Sequence, residues 1–199
     1  MPTAYITHPS FLLHDMGPYH PECPDRLHAI GDRLISTGLD SYLCHYSAPA
    51  ASAEAIARVH GRDYIATIEA ESPTSGLHFL DPDTAMNPHS LTAARHAAGA
   101  VVLATDLVVS GECSTAFCAV RPPGHHATPT ESMGFCLVSN IAVVAAALAA
   151  RGLGESPTTA MRRTRSREPS GMTPSARSAA AAAGSAVPMP AALRTRWTN

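Results

Sequence analysis

The chain contains no lysine, so every basic side chain apart from histidine is arginine. That gap accompanies abundant alanine and reads as a high-GC bacterial coding bias, without functional meaning. No run of about 18 apolar residues occurs, which argues against a membrane span. Met1-Pro-Thr-Ala-Tyr5 lacks a basic stretch followed by an apolar one, which argues against a secretory signal. Cysteine is sparse and odd in number (23, 44, 113, 118 and 136) with no CxxC pair, as expected of a reduced, cytoplasmic protein with ordinary buried thiols. Three residue types also run out along the chain. The last tyrosine is Tyr64, the last aspartate Asp106 and the last histidine His126.

Charge is unevenly placed. Residues 1–155 hold 7 arginines and 15 acids, a balance of −8, whereas 156–199 hold 7 arginines and one acid, Glu168, a balance of +6. Of the 44 residues in 156–199, 34 are Ala, Arg, Ser, Thr or Pro, with one leucine and one valine. No periodic apolar face can be drawn there, so the expectation is a disordered basic tail following a folded unit that ends near 155. Its arginines are scattered beside one aromatic, Trp197, a pattern that argues against nucleic acid as a partner.

Within 1–155 helices and strands alternate. Thr3 to Thr7 has strand composition, and 9–24 reads as a His- and Pro-rich loop. Asp25 can cap a helix over 26–37 with a stripe of Leu27, Ile30, Leu34 and Ile35, closed by Gly38. Ser52 can cap a short helix through Val59, and Arg62 to Ala70 reads as another. The spacing then predicts a loop over 72–89, a long helix from Ser90 to about Ser110, a strand over 115–120, a loop over 121–134 and a helix to about Arg151. This alternation implies α/β architecture with a parallel sheet, whose ligand sites lie beyond the carboxyl ends of the strands.

One stretch stands at such a strand end: Arg121-Pro-Pro-Gly-His-His-Ala127. Two prolines fix φ and remove backbone donors, and Gly124 permits a turn where a side chain would clash. On a regular strand His125 and His126 would point to opposite faces, whereas a constrained loop can aim both into one cavity. Adjacent imidazoles suit proton transfer, because protonating one disfavours protonating the other and they can divide base and acid roles.

RPPGHHA, with Gly134-Phe-Cys-Leu-Val-Ser-Asn140 after it, resembles the histone deacetylase and acetylpolyamine amidohydrolase family. So do His14-Asp-Met-Gly-Pro-Tyr-His-Pro-Glu-Cys-Pro-Asp-Arg26 and Leu80-Asp-Pro-Asp-Thr84, in the same order. The resemblance covers about residues 3 to 154. It implies the three-layer arginase/deacetylase fold, of which this chain would be roughly the first half, and hydrolysis of an acetylated lysine or acetylated polyamine. His125 and His126 would be the proton-transfer pair and Gly134 and Phe135 the wall of the acyl tunnel. His20, Pro21, Glu22 and Asp83 would stand near the substrate at the pocket rim, with His14, Asp15 and Cys23 in rim or capping roles.

That family also implies Zn2+, held by an Asp-x-His segment and a later Asp, with a tyrosine stabilising the oxyanion. No residue matches any of these, since none of the three types occurs after His126. The switch in composition near 155 suggests a frameshift or truncation of a longer gene. The expectation is therefore a deacetylase lineage whose present chain is inactive and holds no metal. The alternative is a non-catalytic fragment or binding module with a basic tail. A Cys136–His125 nucleophile pair has no feature that would stabilise a thiolate. His60, His78, His89 and His96 read as solvated or capping residues.

Overall fold

The structure, a computed structural model, describes residues 2–153. The tail expected over 156–199 lies outside the described residues. The order of elements is β1 (Thr3–Thr7), α1 (Ser10–Leu13), α2 (Asp25–Ser36), a 3-10 turn (Leu39–Tyr42), β2 (Leu43–Ser47), α3 (Ala53–Ala57), α4 (Arg62–Ala70), β3 (His78–Asp81), β4 (Thr84–Met86), α5 (Ser90–Val109), β5 (Thr115–Cys118) and α6 (Asn140–Ala150).

β1 lies between β2 and β5 and pairs in parallel with both. Tyr5 is in register with His45 and Phe117, and all three rings share one sheet face. Tyr5, Leu43 and Phe117 line an apolar groove with Ile30 and Leu34 of α2. Ala4 and Ile6 point the other way, into a core with Phe11 and with Ala93, Ala97 and Ala100 of α5. Helices on both faces of the parallel sheet that the alternation implied give the three-layer arrangement that the resemblance implied.

Alanine decides how closely α5 can lie against its neighbours. Ala93, Ala97, Ala98 and Ala100 are almost fully buried, and Gly99 sits against the backbone of Pro49 and Ala51. A Cβ at Gly99 would overlap the Pro49 carbonyl oxygen. By length and composition α5 is apolar enough to cross a membrane. Its buried face against β1, β5 and α6 identifies it instead as a core helix.

Several elements follow their local signals. Ser52 accepts a hydrogen bond from Ala55 N and caps α3, and α4 spans Arg62–Ala70 as expected. Asp25 begins α2 but makes no capping hydrogen bond, because the preceding Pro24 is already in helical conformation. Two expectations are corrected. The segment 9–24 includes α1, and 72–89 contains the antiparallel hairpin β3–β4. That hairpin turns on Asp81, whose Oδ1 accepts from Asp83 N at 2.8 Å and Thr84 N at 2.6 Å. Carboxylate-to-backbone bonding of this kind makes a tight turn from a sequence that lacks glycine there.

Candidate active site

β5 delivers the chain to Arg121, which is completely buried. Its guanidinium makes a two-pronged pair with Glu22, donates to the carbonyls of Phe11 at 2.7 Å and His14 at 2.8 Å, and reaches the Glu22 carbonyl at 3.3 Å. The sequence presented Arg121 as the start of a rigid turn. In the fold it fastens that turn to the loop bearing His20, Pro21 and Glu22. The Arg121–Pro122 peptide bond is cis.

Beyond that anchor His125 and His126 stand exposed, with ring centroids 4.2 Å apart and planes inclined at 52°. The constrained loop therefore brings the adjacent imidazoles into contact, both of them exposed rather than enclosed in the one cavity the sequence suggested. Two glycines make the packing possible. A Cβ on Gly124 would come within 2.5 Å of the Val138 carbonyl oxygen and 2.6 Å of Asn140 N, so this turn lies directly on the start of α6. A Cβ on Gly134 would come within 2.7 Å of the His126 ring, and Gly134 also has φ of +55°. Phe135 follows with φ of +69°, uncommon for a residue with a side chain. Its backbone N–H is held by Thr84 Oγ1 at 3.0 Å.

The remaining candidate residues divide. His20 meets Phe135 edge-on at 4.6 Å, and its Nε2 lies 3.1 Å from the carbonyl oxygen of exposed Asp83. His20, Asp83, Phe135, Gly134 and the histidine pair thus form one continuous surface, with Pro21 exposed beside it. Glu22 does not stand on the rim. Its carboxylate is buried because Arg121 holds it inside. His14 is likewise fully buried, bonded through Nδ1 to Ser90 Oγ at 2.8 Å. Burial pushes its pKa down to about 4, more than the nearby Glu22 carboxylate raises it. Asp15 does cap locally, accepting from Gly17 N at 2.9 Å.

Two of the histidines read as solvated or capping are held by distant parts of the fold. His60 is buried, and its Nε2 accepts from Ser139 N at 3.0 Å. His96 stacks on His8 with centroids 3.7 Å apart, while its Nδ1 lies 2.8 Å from the Ala48 carbonyl oxygen. Tyr64 was also missed: it is buried and donates to the Leu137 carbonyl at 2.7 Å, and burial pushes its pKa up to about 12. The sequence offered no signal for these contacts beyond a polar side chain on an otherwise apolar stretch.

Burial pushes the Cys136 thiol up, outweighing the thiolate-favouring backbone N–H groups of His126, Ala127 and His125. Its Sγ donates to the Gly134 carbonyl at 3.2 Å, so it is a packed thiol rather than a nucleophile paired with His125. All five cysteines are free. Among the described residues no three His, Cys, Asp or Glu side chains are close enough together to hold a metal ion.

The described residues thus form an α/β domain with a parallel sheet and an imidazole pair in the loop that follows β5. The match to known proteins is narrower. Residues 20–155 match the histone deacetylase domain. The chain is 36% identical over 146 residues to a probable deacetylase of Archaeoglobus fulgidus, covering 72% of this chain and 40% of that protein. It is 39% identical over 132 residues to a histone deacetylase-like amidohydrolase of Pseudomonas aeruginosa, covering 66% and 34% respectively. It is 34% identical over 154 residues to the mouse (Mus musculus) polyamine deacetylase HDAC10, covering 73% and 23%. The crystal structure of the HDA15 HD domain aligns with a TM-score of 0.69 at 33% identity, over 77% of this chain and 44% of that one. The chain belongs to the histone deacetylase family, and it spans less than half the length of these relatives.

Proposed function

We propose that residues 2–153 form the proton-transfer and substrate-wall half of a centre that hydrolyses acetylated amines, either acetyl-lysine or an acetylpolyamine. The observation that carries this reading is the exposed His125–His126 pair, seated on Gly134 and continuous with Phe135, His20 and Asp83. One imidazole accepts a proton from the attacking water. The other returns a proton to the amine nitrogen as the carbon–nitrogen bond breaks, leaving acetate and a free amine. Phe135, held by Thr84 at its N–H and by His20 at its ring edge, confines the apolar part of the acyl chain. Polarisation of the carbonyl is the chemistry that a bound zinc would supply, and among the described residues no group of three His, Cys, Asp or Glu side chains would hold it. We further propose that the 199 residues alone are catalytically silent, since no His, Asp or Tyr follows His126 to complete such a set.

The test compares this chain with a product extended to the length of its relatives, assayed on fluorogenic acetyl-lysine and on acetylspermidine. The short chain should give no turnover that a chelator abolishes. The extended protein should turn over and lose about 10²–10⁴-fold in rate with His126→Ala, the usual contribution of a proton-transfer group. An extended protein whose rate is unchanged by His125→Ala and by His126→Ala would overturn the assignment of the pair.

A further inference from the structure

We propose that His60 is a positioning residue for the loop carrying His125 and His126, acting as a neutral hydrogen-bond acceptor that fixes where this loop re-enters the fold. The proposal rests on the reading of that pair as the proton-transfer centre. His60 precedes α4 and lies far from the pair in sequence, yet it is 1% exposed and holds the returning arm of the loop. Its Nε2 accepts from Ser139 N at 3.0 Å, the residue just before α6. The next residue, Gly61, donates its N–H to the Pro129 carbonyl at 2.9 Å, three positions after His126. Residues 60 and 61 therefore grip the loop at its middle, three residues past His126, and at its return to α6. Between these ties the loop closes on itself through Met133 and Cys136, and Gly134 presents its backbone to the His126 ring.

The contact fixes the protonation state of His60. An N–H donates to Nε2, so Nε2 must carry a lone pair and the ring proton must sit on Nδ1. Nδ1 has no hydrogen-bond partner among the described residues, and the Thr128 and Pro129 carbonyls favour the protonated ring less than burial disfavours it. A second proton, on Nε2, would set two donors against each other at Ser139. The surroundings favour the neutral ring: Tyr64 lies 5.3 Å away, and Glu69 and Arg95, which line the same cavity, are paired with each other. Burial lowers the His60 pKa, in the direction this arrangement requires. Acid should therefore release the Ser139 end of the loop while the Gly61–Pro129 bond remains.

Hydrogen exchange on the full 199-residue chain tests this without needing activity. In His60→Leu, which removes the acceptor, peptides covering 125–139 should exchange about tenfold faster, the loss expected for one buried hydrogen bond. Peptides from β1 and α5 should be unchanged. His60→Gln, whose carbonyl can accept from Ser139, should restore the loop's protection. After correction for intrinsic exchange, the wild type should lose loop protection on acidification and His60→Gln should not. Acceleration spread evenly over β1 and α5, failure of the glutamine to restore protection, or identical pH profiles for wild type and His60→Gln would each overturn the proposal. If His60→Leu does not fold, the comparison of the wild-type and glutamine pH profiles decides it. Loss of turnover in an extended protein with the loop still clamped would count against the function proposed above and leave this inference intact.

Discussion

Arg121 and Glu22 face each other inside the protein as a two-pronged pair, Nε to Oε1 at 2.6 Å and Nη2 to Oε2 at 2.7 Å. One belongs to the loop carrying the paired imidazoles and the other to the loop carrying His20. Arg121 is fully buried and Glu22 nearly so, and the remaining Arg121 donors go to the Phe11, His14 and Glu22 carbonyls. The position of His20 relative to His125 and His126 therefore depends on this ion pair.

Removing one partner strands the other charge in the interior. Glu22→Ala should cost about 3–5 kcal/mol, the usual penalty of an uncompensated buried charge. Urea unfolding of variant and wild type measures it. A loss under about 1 kcal/mol would show that water reaches Arg121.

Gly134→Ala asks a methyl group to occupy space held by the His126 ring, at a backbone φ that favours glycine. The ring should move, and the His125–His126 contact should open. The nuclear magnetic resonance signals of these two imidazoles should shift while those of His8 and His96 remain in place. Unchanged His126 signals would contradict the contact.

His14 links stability to pH. In the unfolded chain its imidazole protonates near 6.5, whereas in the fold burial holds the pKa down to about 4. Above pH 6.5 both states are neutral and His14 contributes no pH dependence. As pH falls from 6.5 toward 4 the unfolded state takes up a proton that the native state refuses, so stability drops by about 3 kcal/mol. His14→Gln should flatten this part of the stability profile, as measured by denaturant titrations at several pH values. An equally steep fall in the variant would place the cause elsewhere.

Gly99→Ala should destabilise by about 3 kcal/mol or more, because the methyl group would overlap the Pro49 carbonyl and force α5 away from the strand end. Thermal unfolding is the measurement. A neutral effect would show that the 48–51 segment yields easily.

The sequence by itself determined those features whose causes are local. β1 follows from the strand-forming Thr3 to Thr7, α3 from the Ser52 hydroxyl three residues from its partner, and the histidine turn from two prolines and a glycine that leave the chain few conformations. The direction each polar side chain would face was decided elsewhere. Glu22 reads as a rim carboxylate until β5, pairing with β1, carries Arg121 to it across 99 residues of sequence. His60 reads as solvated or capping until Ser139 arrives from the far end of the loop, and His14 as a rim or capping residue until α5 brings Ser90 against it. Hydrophobic periodicity and turn chemistry act over a few residues, so they place elements. A buried hydrogen bond forms between whichever groups the assembled layers leave without water, and only the tertiary structure could make those choices.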